Sequence, residues 1–395
     1  MDNSLQKLYA ALILLLIFNI SYGQGTRKKQ AKVLQFPLTE KYWSPVSDNV
    51  EFITYKTVNA VKSTNDRPIN VMLKDFEFTT GTIEFDVELK GAGFPGINFR
   101  IDKDTLNSEI FYLRHFGKPN PLRRTSMQYA AVLDGVNLWD VTDDYQAAAT
   151  ILENQWNHIK LVVSENQMKV FVNDLQKPAL LVPALEGVTK SGGIALSGNV
   201  IYANMTIQPN ATEDLPATKG YDPTYNDPNY LRDWEVTEPV DFPSGKDLMQ
   251  QILVSPGVAI DSTLLNSSAV WKSIKASRRA LVNLTEMYGA TASGERKLTW
   301  LKTTINSDKI QEKEVNLGFS DEVWVFINGQ PLYQDKNYYG SPGMKQPRGR
   351  CTIENASFNI PFKEGENEIL IGLTNYFYGW GIIARLKNMD GLSFK

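Results

Sequence analysis

The chain has 395 residues, a formal net charge of −3 and a single cysteine. Because 41 basic residues nearly balance 44 acidic ones, nothing indicates a nucleic-acid partner or an anionic membrane surface. Cys351 cannot form an internal disulfide, and we expect it to be buried as a small apolar residue. A chain of this length without disulfides needs large hydrophobic cores, which two β-sandwiches would supply.

The first 23 residues are typical of a signal peptide. Lys7 gives a weakly positive start, Leu8–Ile20 is apolar except for Asn19, and Ser21-Tyr22-Gly23 is a small-x-small cleavage motif. The apolar run is short for a membrane span, and no cysteine beside the cleavage position offers a lipid attachment point. We therefore expect a bacterial secreted or periplasmic protein, not inserted in a membrane after removal of residues 1–23; an uncleaved anchor is the alternative.

Between residues 50 and 207, apolar and polar residues alternate with a period of two. Gly and Asn-Asp turns separate several short runs, and many short strands at this spacing are typical of an antiparallel sandwich. The pattern predicts a first β-sandwich over residues 24–207. Its clearest predicted strands are Thr82–Leu89, Gly96–Ile101, Ile110–His115, His158–Val163 and Met168–Asn173.

Residues 208–229 are rich in Pro, Asn, Asp and Thr and have no apolar period, so we predict a linker there. Alternation resumes over residues 230–395. In Asp321–Asn337, two short strands flank Asn328-Gly329, a dipeptide that tolerates the positive φ angles of a type I′ turn. The predicted fold class is all-β, with two antiparallel β-sandwich (jelly-roll) domains joined by a linker.

Five stretches of the first domain carry a family resemblance: Phe78–Gly91, Ile97–Arg100, Glu109–Arg114, Met127–Asp140 and Gln155–Asp174. Through them the domain resembles the concanavalin A-like lectin/glucanase superfamily, in its laminin-G-like branch. It is also similar to the keto-disaccharide hydrolase-like domains of bacterial secreted proteins. The resemblance covers most of residues 71–207 and implies a β-sandwich that acts on or binds glycans.

Three stretches of the second domain, Phe319–Tyr333, Pro361–Leu370 and Tyr378–Leu386, also match a known pattern. The domain resembles the galactose-binding-like jelly roll that is appended to many bacterial glycosidases. In that family the Asn-Gly hairpin and the Lys-x-Gly-x-Asn turn are scaffold, so the resemblance implies glycan binding without catalysis.

Glu84, Asp86 and Glu88 form the sharpest catalytic pattern. Residues two apart on a strand share a face, so the three carboxylates project together. Laminarinase-like glycosidases of the superfamily use Glu-x-Asp-x-Glu in this geometry, and the resemblance implies a nucleophile, a helper Asp and an acid/base. The alternative is a solvated strand face opposite apolar residues 85, 87 and 89, and the Trp-rich segment expected before the glycosidase motif is missing.

A basic and aromatic group of residues forms the predicted ligand-binding site. Alternation places polar residues of two strands opposite apolar neighbours, and guanidinium forks beside aromatic rings suit sugars and uronic acid carboxylates. The alternative for Arg100 is an ordinary surface ion pair with Glu109 or Asp102. The predicted ligand-binding residues are Asn98, Arg100, Tyr112, Arg114, Gln128, Tyr129 and Trp139.

Other chemistry finds little support. His115 and His158 are the only histidines, so a zinc site with two or more His is nearly excluded and no Gly-x-Ser-x-Gly elbow accompanies either. The loop that begins at His115 is a candidate cleft rim. We predict no cofactor and no metal site, although Asp143 and Asp144 are compatible with a structural calcium ion.

Three functions remain open, with the oligomeric state undetermined. The leading hypothesis is a secreted carbohydrate-binding protein that recognises a poly- or oligosaccharide and is not an enzyme. The second is a glycoside hydrolase of the ConA-like glucanase type that uses Glu84, Asp86 and Glu88, and the third is a surface adhesion or assembly protein. If the first domain does not hold the sugar, the aromatic residues Tyr338, Tyr339, Tyr376, Tyr378 and Trp380 are the better candidates.

Overall fold

The computed structural model describes residues 32–243, 245, 247–248, 269–289, 291 and 295–394. The predicted signal peptide, residues 1–23, lies outside the described residues. None of the helices in this part of the chain has the length and apolar character needed to cross a membrane. The described chain is built almost entirely from antiparallel β-strands, which confirms the predicted all-β class.

The first sandwich contains sixteen strands among the described residues, with a 3₁₀ turn at Arg124–Ser126. They are β1 (Leu34–Gln35), β2 (Trp43–Pro45), β3 (Val50–Tyr55), β4 (Val58–Ser63), β5 (Ile69–Leu73), β6 (Gly81–Leu89), β7 (Gly96–Ile101), β8 (Ser108–Leu113), β9 (Met127–Leu133), β10 (Val136–Asn137), β11 (Gln146–Ala147), β12 (Asn157–Val163), β13 (Met168–Val172), β14 (Leu180–Val182), β15 (Gly193–Gly198) and β16 (Val200–Pro209).

These strands form two sheets packed face to face. Sheet 1 has the order β14-β13-β12-β6-β16-β4-β3, with β1 paired to β16, and sheet 2 has the order β10-β9-β8-β7-β15-β5-β2, with β11 paired to β9. Period-two alternation turns one apolar face of each sheet inward, and Phe85 of β6, Phe99 of β7 and Phe111 of β8 lie in the common core. Each such burial stabilises the fold by about 1.5–3 kcal/mol.

The second sandwich adds twelve strands, a 3₁₀ turn at Arg278–Ala280 and the short helix α1 (Leu284–Tyr288). The strands are β17 (Asp233–Thr237), β18 (Val240–Asp241), β19 (Trp271–Lys275), β20 (Val282–Asn283), β21 (Lys297–Ser307), β22 (Gln311–Ser320), β23 (Glu322–Ile327), β24 (Gln330–Lys336), β25 (Ala356–Phe362), β26 (Gly365–Asn375), β27 (Gly381–Leu386) and β28 (Leu392–Phe394). Sheet 3 has the order β19-β17-β21-β26-β23-β24, with β18 and β28 on β21, and sheet 4 has the order β20-β27-β22-β25.

The hairpin predicted from Asn328-Gly329 is present between β23 and β24. Both turn residues have positive φ angles, 50° for Asn328 and 77° for Gly329. Both faces of β23 are buried, since Val323 and Val325 lie in the main core while Trp324 and Phe326 pack in a second cluster on the other side of sheet 3. Several aromatic residues of this domain are therefore structural and not exposed.

Residues 210–229, predicted as a linker, contain no strand but pack closely on the first sandwich. Leu215 is buried with Val162 and Phe171, and Ser164 Oγ donates to the carbonyl oxygen of Pro216 at 2.6 Å. Strand β16 also extends to Pro209, two residues into the predicted linker. The segment therefore lies along the first sandwich as an ordered connection between the two domains.

The two sandwiches share a hydrophobic cluster. Its members from the first sandwich lie on β9 and just after β10, and its members from the second sandwich are Leu281, Cys351 and Ile383. Beside it, Arg279 donates to Asp143 at 3.2 Å and to Asp144 at 3.0 Å, and Arg278 also pairs with Asp144. These contacts fix one sandwich against the other. The buried members of the cluster are Ala131, Leu133, Leu138, Val141, Leu281, Cys351 and Ile383, so Cys351 is buried as predicted.

Candidate functional site

A cavity of about 290 Å³ lies where the outer face of sheet 2 meets the second sandwich. We call it the interdomain cleft. An adjoining depression of about 710 Å³ shares four of its lining residues, Phe94, Arg114, Trp139 and Tyr339. The residues lining the interdomain cleft are Phe94, Ile110, Tyr112, Arg114, Asn137, Trp139, Tyr339, Phe377 and Tyr378.

Strand alternation explains why sheet 2 contributes these side chains. Phe111 and Leu113 of β8 point into the core, so Ile110 and Tyr112 point to the outer face, and Arg114 continues this face beyond the strand end. Strand β8 pairs with both β7 and β9. The prediction that Tyr112 and Arg114 share an outward face is therefore confirmed.

Aromatic rings from both sandwiches form the walls of the interdomain cleft. The ring of Trp139 lies edge to face with Tyr339 at 5.1 Å and with Tyr378 at 5.8 Å between centroids. Tyr339 in turn stacks on Phe377 at 5.7 Å. Tyr339 is 47% exposed and Tyr378 is 43% exposed, whereas Trp139 is only 9% exposed. The exposed faces of Tyr339 and Tyr378 offer apolar surfaces to a ligand, and the nearly buried ring of Trp139 packs against both of them.

Arg114 is held at the cleft by neutral groups. Its Nη2 atom donates to Tyr112 Oη at 3.1 Å and to the side-chain oxygen of Gln128, while its Nε atom is buried without a partner. Burial raises the pKa of Tyr112 to about 12, so its hydroxyl keeps its proton. The guanidinium also lies 5.3 Å from the ring centroids of both Phe94 and Tyr112. Arg114 thus brings a full positive charge into an aromatic site.

Gln128 does not line the cleft but hydrogen-bonds to two residues that do. Its side chain is fully buried, accepts from Arg114 and donates through Nε2 to the carbonyl oxygen of Trp139 at 2.9 Å. The sequence prediction that Gln128 contacts ligand is corrected, because the structure gives it no exposed surface. It is a positioning residue that connects Arg114 to Trp139.

Arg100 does not face the cleft, and the prediction that it does is corrected. The register of β7 shifts against β15 beside this residue, and Arg100 has a φ angle of 55°, so the alternation breaks and its side chain turns inward. It is 0% exposed and donates to the carbonyl oxygens of Thr79, Ser164 and Glu165 at 2.7–3.1 Å. Its Nη1 lies 4.0 Å from Glu109, so the acid named in the ion-pair alternative is near, although both groups are buried.

Tyr129 is also corrected, since it lies in the core of the first sandwich. Its hydroxyl donates to Glu109 Oε2 at 2.6 Å, and burial raises the pKa of Glu109 to about 7. Asn98 does point outward, where its Nδ2 donates to Ser108 Oγ at 3.0 Å and its strand position pairs with Ile110 of the cleft. Asn98 therefore lies beside the cleft without lining it.

The Glu84-x-Asp86-x-Glu88 pattern lies on β6 in sheet 1, the sheet that does not face the second sandwich. Glu84 and Asp86 hold the ring of His158 on β12, at 3.0 Å to Nε2 and 2.8 Å to Nδ1. These contacts lower the pKa of Glu84 and raise the pKa of His158 to about 9. Both carboxylates are thereby held in an ion-pair arrangement on this strand face.

Glu88 is 1% exposed and receives Lys56 Nζ at 2.6 Å, Lys90 Nζ and the hydroxyl of Tyr55 at 3.0 Å. Burial acts to raise its pKa, but these hydrogen bonds outweigh burial and lower it. A glycosidase acid needs the opposite shift, toward a proton held near neutral pH. The environment of the pattern therefore matches a structural charge network better than an acid/base pair.

The acids considered for calcium, Asp143 and Asp144, face arginines of the second sandwich instead. In the described part of the chain, no group of three or more His, Cys, Asp or Glu side chains is arranged to hold a metal ion. The loop after His115 does border the depression, through Phe116 and Arg123, as the sequence suggested.

A further depression of about 550 Å³ lies on the outer face of the second sandwich. Its charged lining residues pair with each other or nearby, with Lys302 at 3.4 Å from Glu235 and Lys275 at 3.8 Å from Asp233. The interdomain cleft, by contrast, combines exposed rings with an arginine that has no acidic partner among the described residues. The cleft is therefore the better candidate site.

No protein-family model and no curated protein matches this sequence. Among solved structures, the chain is similar to the carbohydrate-binding module CBM66 from Bacillus subtilis, with 16% identity, 42% of this chain and 92% of that chain covered, and a TM-score of 0.32. A Bacillus subtilis protein of unknown function with a galectin-like fold matches with 13% identity, 46% and 97% coverage and a TM-score of 0.35. The Bacillus licheniformis β-glucanase matches with 10% identity, 46% and 100% coverage and a TM-score of 0.31.

Several residues of the cleft and of the adjoining depression were not predicted from the sequence. Phe94, Asn137 and Arg350 gave no signal, because the first two lie near turns and the third lies in a loop of the second domain. Tyr339 and Tyr378 were named only as an alternative site. The structure brings them against Trp139, so the two candidate sites of the sequence are parts of one cleft.

Proposed function

We propose that the protein binds a poly- or oligosaccharide in the interdomain cleft and does not hydrolyse it. The observation that carries the proposal is the composite wall, in which Trp139 of the first sandwich meets Tyr339 and Tyr378 of the second beside Arg114. Protein sites for sugars combine apolar ring faces with a few fixed polar groups, and this cleft offers both.

The polar groups of the cleft support this proposal. The side-chain oxygen of Asn137 and the Nε of Arg114 are buried without hydrogen-bond partners. An unpaired buried polar atom costs about 1–3 kcal/mol, so a ligand that supplied the missing acceptor and donor would recover that cost. Sugar hydroxyl groups act both as donors and as acceptors and suit this pair.

The glycosidase alternative has no comparable support. Glu84 and Asp86 are engaged by His158, Glu88 is buried under two lysines, and all three belong to the sheet away from the cleft. We also propose that the protein acts outside the cytoplasm, as the N-terminal sequence suggests.

A glycan array combined with reducing-sugar release tests the proposal. Binding to at least one polysaccharide without release of reducing ends supports a binding protein. Release of reducing ends that is abolished by Glu84→Gln and by Glu88→Gln would replace it with the hydrolase. Absence of both binding and release on a broad panel would leave adhesion or assembly as the remaining hypothesis.

A further inference from the structure

We infer that the glycan recognised by the interdomain cleft is acidic, with a carboxylate or sulfate group that binds between Arg114 and Arg350. The inference rests on the proposed glycan-binding function and adds the chemical class of the ligand. It is carried by the charges around the cleft and its adjoining depression, by the neutral contacts of these two arginines, and by their aromatic surroundings.

Every charged side chain that lines the cleft or the depression, among the described residues, is positively charged. Four arginines contribute to it, and no Asp or Glu is found among the described lining residues. None of the four lies within 4.0 Å of a carboxylate in the part of the chain that the structure describes, whereas the arginines at the domain contact, Arg278 and Arg279, are both paired. The four are Arg114, Arg123, Arg348 and Arg350.

Arg350 is nearly buried and is held by neutral groups, like Arg114. Its guanidinium lies 5.0 Å from the ring centroid of Trp139. With the amide oxygen of Gln146 turned toward it, Arg350 donates from Nε at 3.0 Å and from Nη2 at 2.9 Å. Burial and the neighbouring charge of Arg114 lower the pKa of Arg350, although a guanidinium stays protonated in proteins. Two like charges thus lie near each other in the lining of one depression.

The acids nearest to Arg350 do not neutralise it. Asp143 pairs with Arg279 at 3.2 Å and lies 3.7 Å from Arg124. Asp140 is buried and accepts from the backbone N–H of Gly379 at 3.3 Å. Burial, with the nearby Asp321, raises the pKa of Asp140 well above its usual range.

An acidic sugar fits this arrangement in two ways. Planar guanidinium groups bind carboxylates and sulfates through paired, charge-assisted hydrogen bonds, and an anion between them relieves their mutual repulsion. The sugar ring itself would lie on the exposed faces of Phe94 and Tyr339, which are 51% and 47% exposed. A neutral sugar would contact the exposed aromatic rings but would leave the charges of Arg114 and Arg350 uncompensated.

The test compares acidic polymers with their neutral forms. Binding of the whole protein is measured by isothermal titration calorimetry for polygalacturonate and its carboxyl-reduced form, and for a sulfated galactan and its desulfated form. We expect at least one acidic form to bind roughly tenfold or more tightly than its neutral form, since one charge-assisted hydrogen bond is worth about 1.5–3 kcal/mol. The two pairs of polymers distinguish carboxylate from sulfate as the recognised group.

Three single substitutions sharpen the result. Arg350→Gln and the exposed Arg348→Gln should each weaken binding of the preferred acidic form, whereas Arg67→Gln removes an equal charge far along the chain, where Arg67 pairs with Asp48, and should not. Because Arg348 is exposed, its substitution remains informative even if Arg350→Gln fails to fold.

Equal binding of acidic and neutral forms would overturn the inference and leave glycan binding intact. Equal losses in Arg348→Gln and Arg67→Gln would also overturn it, because attraction would then be a property of the whole surface. Failure to bind any glycan, on these polymers and on the wider array, would instead contradict the proposed function itself.

Discussion

Trp139 of the first sandwich and Tyr339 of the second lie edge to face, with ring centroids 5.1 Å apart and an interplanar angle of 79°. Their sequence separation is 200 residues, yet together they form one wall of the interdomain cleft. A site of this kind exists only while the two domains keep their mutual orientation. The charged and apolar contacts between the sandwiches are therefore part of the binding function.

The ion pairs between the sandwiches give the first prediction. Arg279→Gln removes the nearer of two arginines from Asp143, a carboxylate that is nearly buried, and should lower the free energy of unfolding by about 3 kcal/mol. Glycan affinity should also fall, because the two domains that form the walls of the cleft would be fixed less rigidly against each other. Thermal unfolding and calorimetric titration measure the two effects. Arg67→Gln, which breaks an exposed pair with Asp48, is the control and should cost about 1 kcal/mol or less.

The second prediction concerns the carboxylates of β6. Glu84→Gln and Glu88→Gln should leave glycan affinity unchanged, since neither residue belongs to the cleft. Glu88→Gln should nevertheless reduce the melting temperature, because Lys56 and Lys90 lose their charged partner. Titration calorimetry and thermal unfolding on the same samples separate the two roles. A large loss of affinity in both variants, with the fold retained, would argue that the ligand lies on sheet 1.

His158 gives a pH-dependent prediction. The folded protein raises the pKa of this ring to about 9, from an ordinary value of 6.5, because it donates to Asp86 and Glu84. A raised pKa means that the stabilising contribution is complete below the unfolded value and is lost as the pH rises through about 9. The melting temperature should fall over this interval, and the fall should be smaller in His158→Gln. Identical pH profiles for the two proteins would contradict the assignment.

Replacement by alanine should destabilise the protein much more at Arg100 than at Arg114. Arg100→Ala leaves several buried carbonyl oxygens without donors and Glu109 without its nearest cation, and should cost about 3 kcal/mol or more of stability. Arg114→Ala should cost clearly less, because its side chain is half-buried at a surface cleft and a single buried carbonyl oxygen, that of the Gln128 side chain, loses a donor. Chemical denaturation of the two variants tests this contrast. Similar losses of stability in the two variants would show that Arg100 is not held more deeply in the fold than Arg114.

Much of the fold follows from local patterns in the sequence. Alternation with a period of two identified β6, β7, β8, β12 and β13 of the first sandwich and placed Tyr112 and Arg114 on the outer face. The Asn328-Gly329 turn follows from the backbone freedom of these two residues. These features depend only on neighbours in the chain, which is why the sequence predicts them.

The misplaced residues depend on distant contacts. Arg100 turns inward because its strand shifts register against β15, a partner almost 100 residues away, and no local pattern marks the shift. Trp380 was counted among exposed aromatics, but its indole N–H donates to Gly289 at 3.2 Å within the core. The meeting of Trp139 with Tyr339 requires two domains to dock, and neither domain's alternation carries information about the other.

The central claim is that both sandwiches contribute to a single glycan site, and calorimetric titration of two variants tests it most directly. With the tightest-binding glycan from the array, Arg114→Ala in the first sandwich and Tyr339→Ala in the second should each weaken binding roughly tenfold or more, with the fold retained. Tyr225→Ala, which removes an exposed ring outside the cleft, should bind like the parent protein. Full affinity in Tyr339→Ala together with a loss in Arg114→Ala would confine the site to the first sandwich and contradict the account.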